Sequence, residues 1–166
     1  MMGGRSIATV SAEQTMRIGQ LLAPLLVAAD VVLLSGDLGA GKTQLTKGIA
    51  EGLGVIEPVT SPTFNMLLVH EGRIPLYHFD LYRLDEAVQL EDLDYYATLE
   101  ADGVAVVEWG DRFAEALPLD GIAVTVRLVS DEGRRFEVRP LGPRGEVLAA
   151  AWIAACEAAT SGEARR

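Results

Sequence analysis

Short apolar runs alternate along this chain with segments whose apolar residues recur at helical spacing. The runs Val31–Ser35 and Val104–Glu108 are apolar almost throughout, which is typical of strands buried on both faces of a parallel sheet. Residues 44–53 follow the first run after a short loop and place their apolar residues at the spacing of a helix. Strands that alternate with helices predict an α/β fold with a parallel sheet at its centre.

Alternating apolar and polar residues elsewhere predict two hairpins, which would add antiparallel strands to that centre. One joins residues 64–71 to residues 74–80 across Gly72-Arg73, and the other joins residues 122–128 to residues 134–141. The sheet is therefore expected to be mixed.

Three further elements are predicted nearer the ends of the chain. Residues 6–10 have the composition of a short strand, and Ser11 with Gln14 forms a capping box that begins a helix. Pro24 is expected to kink or shorten that helix, because proline lacks the backbone N–H and clashes with the preceding turn. An alanine-rich helix is predicted over residues 146–158.

The loop between the first apolar run and its helix has the strongest chemical signal in the chain. Residues 36–43 match the pattern G-x-x-x-x-G-K-S/T at both glycines, the lysine and the threonine. Glycines let successive backbone N–H groups approach phosphate oxygens, and the following helix presents its positive dipole end to the same anion. Lys42 is expected to reach the β- and γ-phosphates of a nucleoside triphosphate, and the Thr43 hydroxyl to bind Mg²⁺. The candidate nucleotide-binding residues in this segment are Gly36, Asp37, Leu38, Gly39, Ala40, Gly41, Lys42, Thr43 and Gln44.

Two carboxylates at strand ends compete for the second position on the metal. Glu108 ends an apolar run, and Asp80 ends the second strand of the first hairpin. Because the carboxyl ends of parallel strands meet at one edge of a sheet, either side chain would lie near the phosphate loop. The strand of Glu108 is more apolar and is predicted to be more central. We therefore favour Glu108 for Mg²⁺ and Asp80 for a water-positioning or metal-shell role, with Lys42 completing the candidate catalytic set.

Residues 59–64 contain a proline and several hydroxyl side chains, which favour a loop over a helix. Because this loop lies one helix downstream of the phosphate loop, it is either a γ-phosphate sensor or an ordinary connection. His70 and His78 lie on predicted strands without neighbours at metal-ligand spacing, so no metal site is predicted from them.

Length and net charge limit the number of domains and the kinds of ligand that this chain is expected to have. The 166 residues suit one domain over residues 1–160, followed by a disordered tail at 161–166. The formal net charge is −10 and no basic cluster is apparent, so nucleic acid is not expected to bind directly through its phosphates. Residues 85–102 hold seven acidic residues and no basic one, which predicts a solvated helical face or a docking surface for a basic partner.

The single cysteine, Cys156, excludes a disulfide framework and fits a reducing compartment. No stretch has the length of a signal-peptide core or of a membrane span. The predicted localisation is cytoplasmic, without membrane association.

Four motifs occur in a fixed order along the chain. They are Gly-Asp-Leu-Gly-Ala-Gly-Lys-Thr at 36–43, Ser-Pro-Thr-Phe at 61–64, Tyr-His-Phe-Asp-Leu-Tyr-Arg at 77–83 and Val-Glu-Trp at 107–109. Their order and spacing resemble the TsaE (YjeE) family, over about residues 11–109. The predicted fold is accordingly P-loop NTPase-like and three-layered, with a mixed sheet that is parallel at its centre and extended by antiparallel hairpins.

What the resemblance implies is an ATPase that supports bacterial synthesis of N6-threonylcarbamoyladenosine in tRNAs that read codons beginning with A. In that family the ATPase binds the TsaB–TsaD heterodimer and TsaD carries out the transfer, so tRNA would be engaged only through partners. The resemblance also implies that Thr15 contacts the nucleotide, that Thr43 and Glu108 bind Mg²⁺, and that Asp80 is needed for hydrolysis. Trp109 would lie beside the nucleotide or the partner surface.

The alternatives are a small-molecule kinase, a GTPase-like switch and a nucleotide-binding module without turnover. A kinase needs a second pocket and a mobile lid that brings arginines to the transferred phosphate, whereas Arg73, Arg83 and Arg112 are scattered. The guanine-reading Asn-Lys-x-Asp loop of familiar GTPases is lacking, since the one asparagine, Asn65, precedes Met66. ATP turnover with and without small acceptors, and with and without the partner heterodimer, would discriminate these functions.

Overall fold

The computed structural model describes residues 5–37, 39–62 and 65–164. The strands are β1 (Arg5–Thr9), β2 (Val31–Ser35), β3 (Leu67–His70), β4 (Leu76–Asp80), β5 (Val104–Glu108), β6 (Gly121–Leu128) and β7 (Arg134–Leu141). The α-helices are α1 (Ala12–Leu22), α2 (Lys42–Gly52), α3 (Tyr95–Leu99) and α4 (Gly142–Ala164).

In the described part of the chain these strands form one sheet in the order β1-β7-β6-β2-β5-β4-β3. The central strands β6, β2, β5 and β4 pair parallel to one another. The remaining pairings, of β3 with β4, β7 with β6 and β1 with β7, are antiparallel. The predicted mixed sheet is confirmed. β5 lies directly beside β2 and β4 lies one strand further out, as the apolar composition of the two strands predicted.

The sheet has an apolar core on each face, because successive residues of a strand point to opposite sides. On β2, Val32 and Leu34 belong to the core beneath α1, α2 and α4, whereas Val31 and Leu33 belong to the core on the other face. That second core contains Leu90 of a 3₁₀ segment and residues of α3. The result is the predicted three-layer arrangement.

The first helix begins and ends where its capping residues predict. The Ser11 hydroxyl accepts a hydrogen bond from the Gln14 N–H at 3.1 Å, and the Gln14 side chain accepts one from the Val10 N–H at 2.9 Å. The first bond satisfies an N–H group that the first turn of a helix leaves without a partner, and the second ties the residue before the N-cap to that turn. α1 ends before Pro24, which lies in a short 3₁₀ turn.

The last helix differs from its prediction. α4 begins directly after β7 and continues to Ala164, so the helix is longer at both ends than residues 146–158. The predicted disorder is wrong for residues 161–164, and residues 165–166 lie outside the described residues. The first turn is fixed because the Arg144 N–H donates to the Asp120 carboxylate at 2.8 Å, and alanine, the strongest helix former, dominates the middle of the helix.

The acidic stretch 85–102 is not one continuous helix. A 3₁₀ segment over Ala87–Leu93 is separated from α3 by Asp94, whose φ of 51° breaks the helical path. The seven acidic side chains are nevertheless all exposed, which fits both a solvated face and a docking surface. Where the structure describes the chain, no helix is long and apolar enough to cross a membrane.

Candidate active site

The phosphate loop joins β2 to α2 at the carboxyl edge of the parallel strands. Gly36, Gly39 and Gly41 have φ angles of 138°, 78° and 110°, which glycine adopts without steric cost. A Cβ atom on Gly36 would lie 2.5 Å from the Val126 carbonyl oxygen, so this position requires glycine for space as well. Gly41 directly precedes the 11-residue helix α2, whose first N–H groups therefore open onto the loop.

Lys42 lies inside this loop rather than in solvent, with 6 % of the residue exposed. Its Nζ donates to the Gly36 carbonyl and lies 3.5 Å from that of Asp37. The Trp109 ring covers the same ammonium, with 4.2 Å between Nζ and the ring centroid, a cation–π distance. Burial lowers the pKa of Lys42 below its ordinary value, and the negative charges of Glu108 and Asp80 oppose that effect.

Asp80 and Glu108 lie side by side because β4 and β5 are parallel and these two residues are register partners. Both are buried, with 5 % and 3 % of the residue exposed. Asp80 accepts a hydrogen bond from the Tyr82 N–H at 3.0 Å, and Glu108 Oε2 lies 2.8 Å from His78 Nε2. The sequence therefore predicted correctly that both carboxylates reach the strand ends beside the phosphate loop.

The loop and the carboxylates line a single pocket of about 570 Å³, a volume typical of small-ligand sites. The lining residues are Gly39, Gly41, Lys42, Thr43, Gln44, Lys47, Ser61, Asp80, Tyr82, Glu108 and Trp109. Ser61 brings the 59–64 loop to this pocket, while Thr63 and Phe64 lie outside the described residues. A groove of about 600 Å³ on the face formed by β1, β7 and β6 is slightly larger, but the phosphate loop does not line it.

The donor set of the pocket suits Mg²⁺. The Thr43 hydroxyl and the carboxylates of Glu108 and Asp80 are hard oxygen donors that line the same pocket, which is the ligand chemistry that this ion prefers. Among the described residues, no group of three or more His, Cys, Asp or Glu side chains could hold a metal. Mg²⁺ usually binds through one or two carboxylates plus phosphate and water, so these residues fit the ion together with a nucleotide.

Some residues predicted to bind the nucleotide do not line the pocket. Thr15 is 2 % exposed, and its hydroxyl lies 2.8 Å from that of Thr9, so the structure does not bring it to the pocket. Gly36 and Asp37 belong to the loop through the carbonyls that face Lys42. Ala40 is buried, and Leu38 lies outside the described residues.

Sequence reasoning assigned no role to three residues that the fold brings to this region. His78 contacts Glu108, and the Tyr82 ring lies 5.1 Å from the Trp109 ring between centroids. Arg134 lies along the phosphate loop, since its Nε would be 3.6 Å from a Cβ atom on Gly41. Nothing in the spacing along the chain relates residue 134 to residue 41, because only the pairing of distant strands brings them together.

Comparison with known proteins decides the family. The family model described as "Threonylcarbamoyl adenosine biosynthesis protein TsaE" matches residues 9–136. This chain belongs to the TsaE family. The matched span contains the phosphate loop, Asp80 and Glu108, so the TsaE match covers the residues that form the pocket.

Relatives match along most of the chain. The TsaE protein of Streptomyces coelicolor is 47% identical over 135 residues, which cover 76% of this chain and 90% of that protein. The TsaE protein of Bacillus subtilis is 40% identical over 141 residues, which cover 84% of this chain and 88% of that protein. Both are named "tRNA threonylcarbamoyladenosine biosynthesis protein TsaE". The crystal structure of Bacillus subtilis YdiB matches with a TM-score of 0.77 and 33% identity, covering 92% of this chain and 95% of that chain.

Proposed function

We propose that this protein binds and hydrolyses Mg²⁺-ATP in support of N6-threonylcarbamoyladenosine synthesis in tRNA, acting with the TsaB–TsaD heterodimer. The observation that carries the proposal is the pocket in which the phosphate loop meets Asp80 and Glu108. Membership in the TsaE family supports the role in tRNA modification, because the relatives are named for that biosynthesis. The partner is the one that the resemblance to this family implies.

In this proposal the phosphates bind to the loop and to the first turn of α2. The N–H groups after Gly39 supply hydrogen-bond donors, and Lys42 supplies the charge. Its Nζ faces the carbonyl dipoles of Gly36 and Asp37 in the structure. Phosphate oxygens would offer the ammonium full negative charges, and hydrogen bonds between charged groups are about twice as strong as neutral ones.

Thr43 and Glu108 would hold Mg²⁺, and Asp80 would position the attacking water. The bound ion would neutralise charge on the β- and γ-phosphates. Asp80 is suited to the second role because the Tyr82 N–H orients its carboxylate within the same pocket.

Calorimetric titration with ATP in Mg²⁺ and in EDTA tests the assignment. Lys42→Ala should weaken binding by about 10-fold or more, because a hydrogen bond to a charged group contributes about 1.5–3 kcal/mol. Arg17→Ala is the control, since Arg17 is an exposed cationic side chain on α1 that does not line the pocket. Mg²⁺-ATP binding by Lys42→Ala at the parent affinity would contradict the proposal.

A further inference from the structure

A buried histidine contacts the carboxylate that is proposed to bind the metal. His78 and Asp80 lie two residues apart on β4, so their side chains point to the same face of the sheet. Asp80 is the register partner of Glu108, and His78 is the partner of Val106. Glu108 and Val106 are also two residues apart, so His78 reaches Glu108 diagonally across the strand pair, on the face that α2 covers.

The contact is a buried hydrogen bond. His78 Nε2 lies 2.8 Å from Glu108 Oε2, and the two residues are 0 % and 3 % exposed. The other ring nitrogen, Nδ1, has no hydrogen-bond partner among the described residues. A proton on Nδ1 would therefore be a buried donor without an acceptor, which is unfavourable. The geometry therefore favours a hydrogen bond in which Nε2–H donates to Glu108.

We infer that His78 is a positioning residue, which holds the Glu108 carboxylate in the orientation that binds the metal of the nucleotide complex. The inference rests on the proposed function and extends it to a second residue. By occupying Oε2, the imidazole leaves Oε1 as the oxygen for the cation. Groups that hydrogen-bond to metal ligands fix their orientation, and loss of such a group typically lowers metal affinity or activity about 10- to 100-fold.

The chain offers a matched control in a second histidine–glutamate pair. His70 Nδ1 lies 2.9 Å from Glu57 Oε1, and His70 is buried on the neighbouring strand β3. Neither residue lines the pocket that contains Glu108. Substitution of His70 therefore removes a similar buried imidazole without touching the proposed metal ligand.

The test measures the Mg²⁺ concentration that half-saturates tight binding of ADP, together with ADP affinity in EDTA. His78→Leu should raise the Mg²⁺ requirement about 10-fold or more and leave the affinity in EDTA unchanged. His78→Gln, which keeps a side-chain N–H donor, should restore most of the loss, and His70→Leu should match the parent. A parent-like Mg²⁺ requirement in folded His78→Leu would overturn the positioning role.

A second measurement needs no substitution at the buried position. Nitrogen-15 spectra of the histidine rings in the parent protein should show that Nε2 of His78 carries a hydrogen-bonded proton. An Nε2 without a proton would overturn the inference, because the ring could then not donate to Glu108. If the parent protein bound no ADP in a Mg²⁺-dependent way, the proposed function would fail and the positioning role with it. Mg²⁺-dependent binding with an unchanged His78→Leu variant would overturn the positioning role alone.

Discussion

At the scale of single residues, backbone conformation decides which positions of the phosphate loop tolerate a side chain. Gly36 and Gly39 both have positive φ, but they differ in the space around them. A Cβ on Gly36 would meet the Val126 carbonyl oxygen at 2.5 Å, whereas one on Gly39 would meet nothing within 4 Å. The first position combines backbone strain with a clash, and the second carries strain alone.

Gly36→Ala should therefore lower the free energy of unfolding by about 3 kcal/mol, from strain and overpacking together. Gly39→Ala should cost about 1 kcal/mol, the price of a non-glycine residue in the left-handed region. Urea unfolding of both variants checks the difference. Equal losses would show that the contact with Val126 contributes nothing.

Substitutions of Glu108 and Asp80 should affect different kinetic quantities, the Mg²⁺ requirement and the turnover rate. Glu108→Gln should raise the Mg²⁺ requirement for turnover about 10-fold or more, because β5 places this carboxylate beside the strand that leads into Thr43. Asp80→Asn should lower the turnover rate about 100-fold with little change in Mg²⁺ requirement, as for loss of a water-positioning group. Steady-state rates across a Mg²⁺ series measure both effects. A shifted Mg²⁺ titration in Asp80→Asn, with a parent-like one in Glu108→Gln, would exchange the two roles.

At the scale of elements, one ion pair ties the start of α4 to the turn before β2. Arg144 donates from Nε and Nη2 to the two oxygens of Asp30, at 2.9 and 2.7 Å, and from Nη2 to the Leu25 carbonyl at 2.8 Å. The Asp30 side chain is 3 % exposed. Removing the arginine would leave a buried carboxylate with only the Val27 N–H among these donors.

Arg144→Met should lower the free energy of unfolding by about 2–4 kcal/mol, because breaking a buried pair leaves an uncompensated charge. Arg127→Met is the control, since the Arg127–Glu137 pair has the same chemistry but side chains that are 60% and 45% exposed, and such pairs contribute about 0–1 kcal/mol. Thermal and urea unfolding compare them. Similar small losses in both would mean that Asp30 finds other partners.

Elements and site residues could be predicted where they depend on residues that are neighbours in the sequence. The phosphate loop depends on eight neighbouring residues, an apolar run identified the strand that ends in Glu108, and a hairpin pattern identified the strand that ends in Asp80. The contacts of His78 with Glu108 and of Arg134 with the loop depend on register between strands that are far apart in sequence. No local pattern specifies them, and the extra turns of α4 depend on its packing and its first-turn cap.

At the scale of the whole molecule, the sheet brings together basic side chains that are far apart in the sequence. No basic cluster was predicted, yet the sheet brings Arg5, Arg135 and Arg139 to one groove. Glu137 and Asp111 line the same groove, and the formal net charge is −10. Because affinity for nucleic acid comes mainly from neutralising phosphates, we propose that tRNA is engaged through the partner heterodimer and not by this chain alone.

Phosphate release from Mg²⁺-ATP by the purified protein, alone and with TsaB–TsaD, tests the central claim most directly. The isolated protein should turn over slowly, because few cationic side chains besides Lys42 line the pocket and phosphoryl transfer needs added positive charge and a positioned water. The heterodimer should raise the rate about 10-fold or more by ordering the pocket. Partner proteins accelerate slow nucleotide hydrolysis in other phosphate-loop enzymes. Lys42→Ala should release no phosphate under either condition. A rate that TsaB–TsaD leaves unchanged, or a Lys42→Ala variant that matches the parent, would contradict the account.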